Sequence, residues 1–231
     1  MSAIIQVEAL SKAYSYKLAL KQVSFEVERQ SFVGILGHNG SGKSTLIKLL
    51  CGLSKPTHGR ITIGGWSIPQ ELGAVRAQIG LVSHALMLSP MLTARENLRF
   101  YGRLYAVPAL DERINSLLET VGLTRFADQA IKTFSRGMQQ RLSIARAFLH
   151  DPSILLLDEP FTGLDQTAST MLINLLEQAQ AQGRTIVMVT HQVELALQYC
   201  DRLLVLSRGQ LQYAGQATDF SLAQYEEILR R

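Results

Sequence analysis

Cysteine is scarce in this sequence, charged residues are few, and no hydrophobic run is long. Cys51 and Cys200 are the only two thiols in 231 residues. They stand far apart, each in an apolar helical context, which excludes a disulfide framework and leaves two buried thiols. No apolar run approaches the roughly 18 residues that a membrane-spanning helix needs; Ile154–Leu157 and Ile186–Val189 are typical of the longest. The N-terminal stretch Met1–Leu10 is acidic rather than basic and has no cleavage site. No signal peptide is visible, and the cytosol is the expected location. Internal repeats and low-complexity linkers are absent as well. Lys and Arg outnumber Asp and Glu by 23 to 19, a net +4 of the sign that nucleic acid and anionic membranes attract. Yet no dense basic block occurs, and Arg76, Arg95, Arg103, Arg113 and Arg125 are scattered singly, as on an ordinary solvated surface.

What is present is a globular composition, 47% hydrophobic and 18% charged, long enough for one large domain or two small lobes. Val23, Phe25 and Val27 alternate with polar residues, as do Ile61 and Ile63, and both segments predict half-buried strands of an antiparallel sheet. Phe32–Leu36 is almost continuously apolar, the pattern of a parallel strand covered on both faces. A Gly-rich loop follows, then a predicted helix with Leu46, Ile47, Leu49, Leu50 and Leu53 on its buried side. Ile154–Leu157, Thr185–Val189 and Leu203–Leu206 predict three more buried strands, with helices around 168–182 and 192–200 between them. Strand alternating with helix implies a parallel sheet. From about 85 to 150 this rhythm gives way to helical spacing (Leu98, Tyr101, Leu104, Tyr105; Ile114, Leu117, Leu118, Val121; Met138, Leu142, Ala145, Leu149), which predicts an inserted helical lobe. Thr218–Arg231, with Leu222, Tyr225 and Leu229, predicts a surface amphipathic helix.

Gly37-His38-Asn39-Gly40-Ser41-Gly42-Lys43-Ser44 has every required residue of a phosphate-binding loop and sits between a strand and a helix. Glycine lets the backbone curl so that successive N–H groups point at one phosphate, aided by the positive end of the helix. Lys43 is expected to reach the β- and γ-phosphates, Ser44 to ligate Mg²⁺, and Thr45 to add a hydroxyl to the α-phosphate. Ile154-Leu155-Leu156-Leu157-Asp158-Glu159 supplies the second half: a buried strand that ends in two carboxylates at the nucleotide crevice. Asp158 is expected to hold Mg²⁺ through water and Glu159 to polarise the attacking water.

Two more motifs narrow the reading. Phe134-Ser135-Arg136-Gly137-Met138-Gln139-Gln140-Arg141 opens a helix ahead of the Asp158 strand. Glu159-Pro160-Phe161-Thr162-Gly163-Leu164-Asp165 follows that strand, and His191 ends the next one. On these ordered motifs the chain resembles, over essentially all its residues, the nucleotide-binding subunit of an ATP-binding cassette (ABC) transporter. The resemblance implies an α/β fold: a RecA-like parallel sheet core, an antiparallel β subdomain, and a helical subdomain inserted at roughly 85–150. It implies one nucleotide-binding domain over 1–231, at the cytoplasmic face of the membrane.

It also implies roles. Two such domains sandwich two ATP molecules head to tail, so Ser135 and Gly137 would contact the γ-phosphate held by the partner's loop, and Asp165 would cross the interface. His191 would bond the γ-phosphate and orient water with Glu159, and Tyr14 occupies the place of the aromatic that stacks on adenine. His38, Asn39, Gly40, Ser41 and Gly42 belong to the phosphate cradle with Gly37. ATP and Mg²⁺ are the implied cofactors; the implied partners are a second cassette and membrane-spanning subunits, with no nucleic acid.

The chain departs from the family pattern twice. Arg136 and Met138 replace a Gly and the Gln of the usual Ser-Gly-Gly-Gln signature, while Ser135 and Gly137 remain. Residues 79–93 contain no Gln, the family's Mg²⁺ sensor and coupling residue. One alignment puts His84 in its place as a metal-sensing residue, and another puts Ala85 there. Ser83-His84, Leu92–Tyr101 and Glu159–Asp165 together look like the ATP-binding subunit of bacterial haem exporters of cytochrome c maturation. Subunits of drug or lipid exporters share much of this pattern. ABC ATPases that act on nucleic acid or ribosomes carry tandem cassettes, zinc cysteines or long coiled-coil insertions, which this sequence lacks.

Overall fold

The computed structural model describes residues 3–83 and 85–230. The chain opens with a long antiparallel hairpin, β1 (Ala3–Tyr14) and β2 (Lys17–Glu28). β3 (Phe32–Leu36) runs into α1 (Lys43–Leu50). β4 (His58–Ile63) and β5 (Trp66–Ile68) then complete a four-stranded sheet in the order β2-β1-β4-β5. A short α2 (Leu72–Ala77) leads to β6 (Ile79–Val82). Three helices follow, α3 (Ala94–Leu104), α4 (Leu110–Thr120) and α5 (Arg136–Phe148). The remainder alternates: β7 (Ile154–Asp158), α6 (Gln166–Ala181), β8 (Thr185–Val189), α7 (Val193–Tyr199) and β9 (Arg202–Ser207). β10 (Gln210–Gln216) and α8 (Leu222–Arg230) close the chain. The second sheet has six strands in the order β10-β9-β3-β8-β7-β6, all parallel except β10, which pairs antiparallel with β9.

Side-chain alternation sorts this sheet between two cores. Phe32, Leu36, Leu155, Leu157, Ile186, Met188, Leu203 and Val205 join the helices α3–α8. Their neighbours Val33, Ile35, Ile154, Leu156, Val187, Val189, Leu204 and Leu206 join α1 and the antiparallel sheet. Successive residues of a strand face opposite sides, so a sheet covered on both sides needs apolar residues at every position. That is why these strands read as unbroken hydrophobic runs.

The helical segment begins on a capping box. Thr93 Oγ1 accepts from Glu96 N at 3.1 Å, and Glu96 Oε2 accepts from Thr93 N at 2.8 Å. At the far end of that segment, Arg113 Nη2 donates to Phe148 O at 2.7 Å, placing a cation at the last carbonyls of α5. One expected buried position is corrected, and one residue of the helical stripe lies on solvent. α1 ends at Leu50, so Leu53 lies beyond its last turn and is 50% exposed; Leu104 sits on the solvent side of α3 at 68%. β1, β5, β6 and β10 were not marked by any clean alternation in the sequence. On α8 the buried residue is Tyr225, while Leu222 is exposed. Among the described residues no helix is long and apolar enough to cross a membrane.

β6 must lie close to α5, and Gly80 permits it: a Cβ there would overlap Ala147 O and stand 2.7 Å from Pro152 Cγ. Gly73, in α2, has open space at the same point. The two glycines therefore predict opposite responses to alanine. Gly80→Ala should destabilise the fold by about 1–3 kcal/mol through overpacking. Gly73→Ala should stabilise it by about 0.5–1 kcal/mol through the helix entropy of glycine. Urea unfolding midpoints at constant slope measure both.

Candidate active site

The phosphate loop joins β3 to α1, and its curl rests on Gly42. Gly42 has φ +111°, and a Cβ there would come within 2.7 Å of Ala19 O on β2. Only glycine meets both conditions. The first bond of α1 runs from Leu46 N to Gly42 O at 2.9 Å, and no side chain caps the helix. The N–H groups of the first turn, at Lys43, Ser44 and Thr45, thus have no helical acceptor and face outward with the positive end of the dipole. His38 and Asn39 form the outer bend, with His38 Nδ1 2.6 Å from Asn39 O. Gly40, at φ +83°, faces open space, while Ser41 is fully buried beneath the loop.

Lys43 folds back on this loop. Its Nζ donates to Gly37 O at 2.7 Å and to His38 O at 3.1 Å, and the residue is 7% exposed. Burial lowers the ammonium pKa, while the negative charges of Glu159 and Asp158 raise it. Both carboxylates therefore lie within electrostatic reach of the phosphate loop.

Asp158 is the last residue of β7. Glu159 continues the ladder, donating its N–H to Val189 O at 2.9 Å, but then turns into the left-handed region at φ +52°. Such a conformation costs a bulky residue about 1–3 kcal/mol and persists only where neighbours enforce it. The following turn supplies that restraint: Thr162 N donates to Glu159 O at 3.1 Å, and the buried Gln140 Nε2 of α5 donates to Pro160 O at 3.0 Å. His191 Nδ1 stands 2.8 Å from Glu159 Oε2. His191 is held at the end of β8 by Thr190, whose N–H donates to Ile35 O at 3.2 Å and whose Oγ1 accepts from Gln192 N at 3.1 Å. The phosphate loop, the carboxylates and His191 thus sit at the carboxyl ends of three adjacent parallel strands, β3, β7 and β8.

One open groove of about 330 Å³ is shared by Tyr14, Asn39, Lys43, Ser44, Thr45 and Glu159. Tyr14 stands at the tip of the β1–β2 hairpin, paired with Lys17 and 46% exposed, with Lys12 Nζ 4.8 Å from its ring centroid. A half-open ring beside the phosphate loop is well placed for a planar base. Ser135 and Gly137 lie elsewhere, at the start of α5. Ser135 caps that helix, its Oγ accepting from Met138 N at 3.2 Å, and a Cβ on Gly137 would stand 3.3 Å from Gly163 O. Asp165 caps α6 through Ala168 N at 2.8 Å. Within one chain these three are helix-terminal residues and do not line the groove. His84 lies outside the described residues; its neighbour Ala85 is exposed, and Ala85 O accepts from Ser83 Oγ at 2.7 Å.

Two contacts at the loop carried no sequence signal. Gly209, in the β9–β10 turn, donates its N–H to Ser41 O at 3.0 Å and accepts from Lys21 N at 2.8 Å. Tyr225 of α8 is 7% exposed and hydrogen-bonds the Gly37 backbone; burial pushes its phenol pKa up, against that bond. Its helical spacing marked an apolar stripe, but nothing in that spacing aimed the stripe at the phosphate loop.

The ABC transporter family description matches residues 20–162. The linearmycin resistance ATP-binding protein LnrL of Bacillus subtilis (strain 168) is 36% identical over 218 residues, covering 94% of this chain and 70% of that protein. A Nod factor export ATP-binding protein I of Ralstonia nicotianae is 37% identical over 208 residues, covering 89% and 65%. The chain thus spans roughly two thirds of the length of these relatives. A solved ATP binding subunit of an ABC transporter superposes with a TM-score of 0.92 at 31% identity, covering 99% of this chain and 100% of that one. A dimeric ATP-binding cassette in a post-hydrolysis state with ADP and Pi superposes with a TM-score of 0.86 at 30% identity, covering 92% and 98%. Likeness in sequence and in shape agrees with what the strand ends display: the chain belongs to the ABC transporter family, among its ATP-binding, ATP-hydrolysing subunits.

Proposed function

We propose that this chain hydrolyses ATP at the interface of two cassettes and thereby drives an exporter in the membrane. The observation that carries the reading is the Glu159–His191 pair, 2.8 Å apart, with Glu159 sharing the groove of Lys43. A carboxylate oriented by an imidazole beside a phosphate cradle suits activation of water for phosphoryl transfer. In this reading Lys43 exchanges the carbonyls of Gly37 and His38 for the β- and γ-phosphates, a stronger, charge-assisted pairing. Thr45 bonds the α-phosphate and Tyr14 stacks on adenine. Glu159 takes up hydrogen bonding from the attacking water, and His191 holds Glu159 and meets the γ-phosphate.

The Ser44 hydroxyl and the Asp158 carboxylate are the hard oxygen donors that Mg²⁺ takes, and the charge of Asp158 is felt at Lys43, within the same site. These two residues would hold the ion, which when bound neutralises charge on the β- and γ-phosphates. Ser135, Gly137 and Asp165 act on the nucleotide of a second cassette. Their separation from the groove supports this, as does the dimeric arrangement of the solved cassette.

The name of the Ralstonia relative, which concerns export of Nod factor, supports the outward direction. The finer reading of a haem-type cargo for cytochrome c maturation rests on the resemblance at Ser83-His84, Leu92–Tyr101 and Glu159–Asp165 alone; the names of the two relatives concern Nod factor and linearmycin. Purification with the membrane subunits decides it. A haem absorbance band that follows the complex supports the haem reading, and an organic cargo without one replaces it.

Two substitutions test the chemistry. Lys43→Ala removes a charge-assisted contact worth about 1.5–3 kcal/mol, so calorimetry should show MgATP affinity reduced roughly 10- to 150-fold. Glu159→Gln should retain ATP binding while hydrolysis falls by about 10² or more. The Gln variant should then accumulate as an ATP-bound dimer on size exclusion. Native turnover in that variant would transfer the role of base away from Glu159.

A further inference from the structure

Tyr14 stands at the tip of the β1–β2 hairpin with nearly half of its surface open to solvent. An aromatic ring so placed has rotamer freedom to lose before a planar base can stack on it. One neighbour takes some of that freedom away. Lys12 Nζ lies over the Tyr14 ring, 4.8 Å from its centroid. Lys12 precedes Tyr14 by two residues on β1, the spacing that puts side chains on one side of a strand. Register shifts flank Lys12 in the pairing of β1 with β2, and such irregularities re-aim side chains locally.

The ammonium is itself anchored. Lys12 Nζ donates to Lys55 O at 2.9 Å, and the segment that carries this carbonyl is tied to β1 on both sides of Lys12. Thr57 N donates to Ser11 O at 2.9 Å, and Thr57 Oγ1 accepts from Ala13 N at 3.0 Å. Residues 55–57 thus grip Ser11, Lys12 and Ala13 in succession, and Pro56 stiffens the link between Lys55 and Thr57. Lys12 is half-buried and does not line the nucleotide groove, whereas Tyr14, Lys17, Ala19 and Lys43 do. Seen from the groove, the cation stands behind the ring.

We infer that Lys12 is a positioning residue of the nucleotide site: its ammonium, held by Lys55 O, backs the Tyr14 ring and presents the opposite face to the base. The inference rests on the reading above in which Tyr14 stacks on adenine, and it adds what orders the ring. The negative face of the phenol attracts the ammonium, which restricts rotation of the ring before nucleotide arrives. Ordering paid in advance is ordering that binding no longer has to supply. The bond to a backbone carbonyl fixes the cation to the scaffold, so Lys12 acts through Tyr14 and touches no atom of the nucleotide.

A double-mutant cycle tests this, with MgATP affinity measured by calorimetry for the native chain, Lys12→Met, Tyr14→Ala and the two combined. Lys12→Met keeps most of the stem and removes the charge. It should weaken MgATP binding about 2- to 5-fold, the range of an exposed cation–aromatic contact. With Tyr14→Ala already in place, the same substitution should change affinity by less than about 1.5-fold, because the ring it serves is gone. Lys12→Arg supplies another cation that stacks on aromatic faces and should restore most of the affinity. Inorganic tripolyphosphate, which has no base, should bind the native chain and Lys12→Met equally, which also shows the phosphate loop of the variant to be intact. Weaker tripolyphosphate binding in Lys12→Met overturns the inference in favour of a direct phosphate contact. An equal loss with and without the Tyr14 ring overturns it in favour of a purely structural tie to Lys55. Native MgATP affinity in Lys12→Met, with Tyr14→Ala weakened, overturns it and leaves the stacking reading standing. Native affinity in Tyr14→Ala overturns both.

Discussion

The site depends on one buried cation. Lys43 is withdrawn from solvent into a loop of neutral amides, where its charge is tolerated because Gly37 O and His38 O accept from it and the negative charges of Glu159 and Asp158 favour it. An ammonium so placed exerts a strong field through little water, so an incoming polyphosphate meets a donor already aimed and partly desolvated. The same burial demands that Asp158 and Glu159 stay close, which in turn requires β7 beside β8 and β8 beside β3. Strand order, loop curvature and the bend at Glu159 together bring these groups to one place.

Much of this was legible because the sheet is covered twice. Phe32–Leu36, Ile154–Leu157, Thr185–Val189 and Leu203–Leu206 predicted strands within a residue or two of those observed, since double burial leaves no polar position to blur them. β1 escaped notice for the opposite reason. Register shifts between Val7 and Leu10, and again on to Ala13, break its period-two pattern. β6 is four residues with a glycine inside it, and β10 is an edge strand with no fully buried side chain. Leu53 and Leu104 matched the helical period but lie on solvent, because periodicity marks a stripe without marking what covers it.

The candidate site divides in the same way. Residues contiguous in sequence, Gly37–Thr45 and Asp158–Glu159, could be identified because each motif's backbone geometry is local. The approach of Tyr14 to the same groove came from the resemblance, and its shared lining with Lys43 and Glu159 supplies the geometry for it. Tyr225 and Gly209 reach the loop from the far end of the chain through tertiary packing alone, which no short pattern encodes.

The β9–β10 turn has a wider consequence. Arg208-Gly209 is a two-residue tip at an edge hairpin, the sort of place usually chosen for grafting a tag or a reporter domain. Here Gly209 clasps Ser41 on one side and Lys21 on the other, with no room for a side chain against Ala19 O. The tip is a buckle that joins the antiparallel sheet to the phosphate loop. Cargo fused at this point would pull on the nucleotide cradle itself.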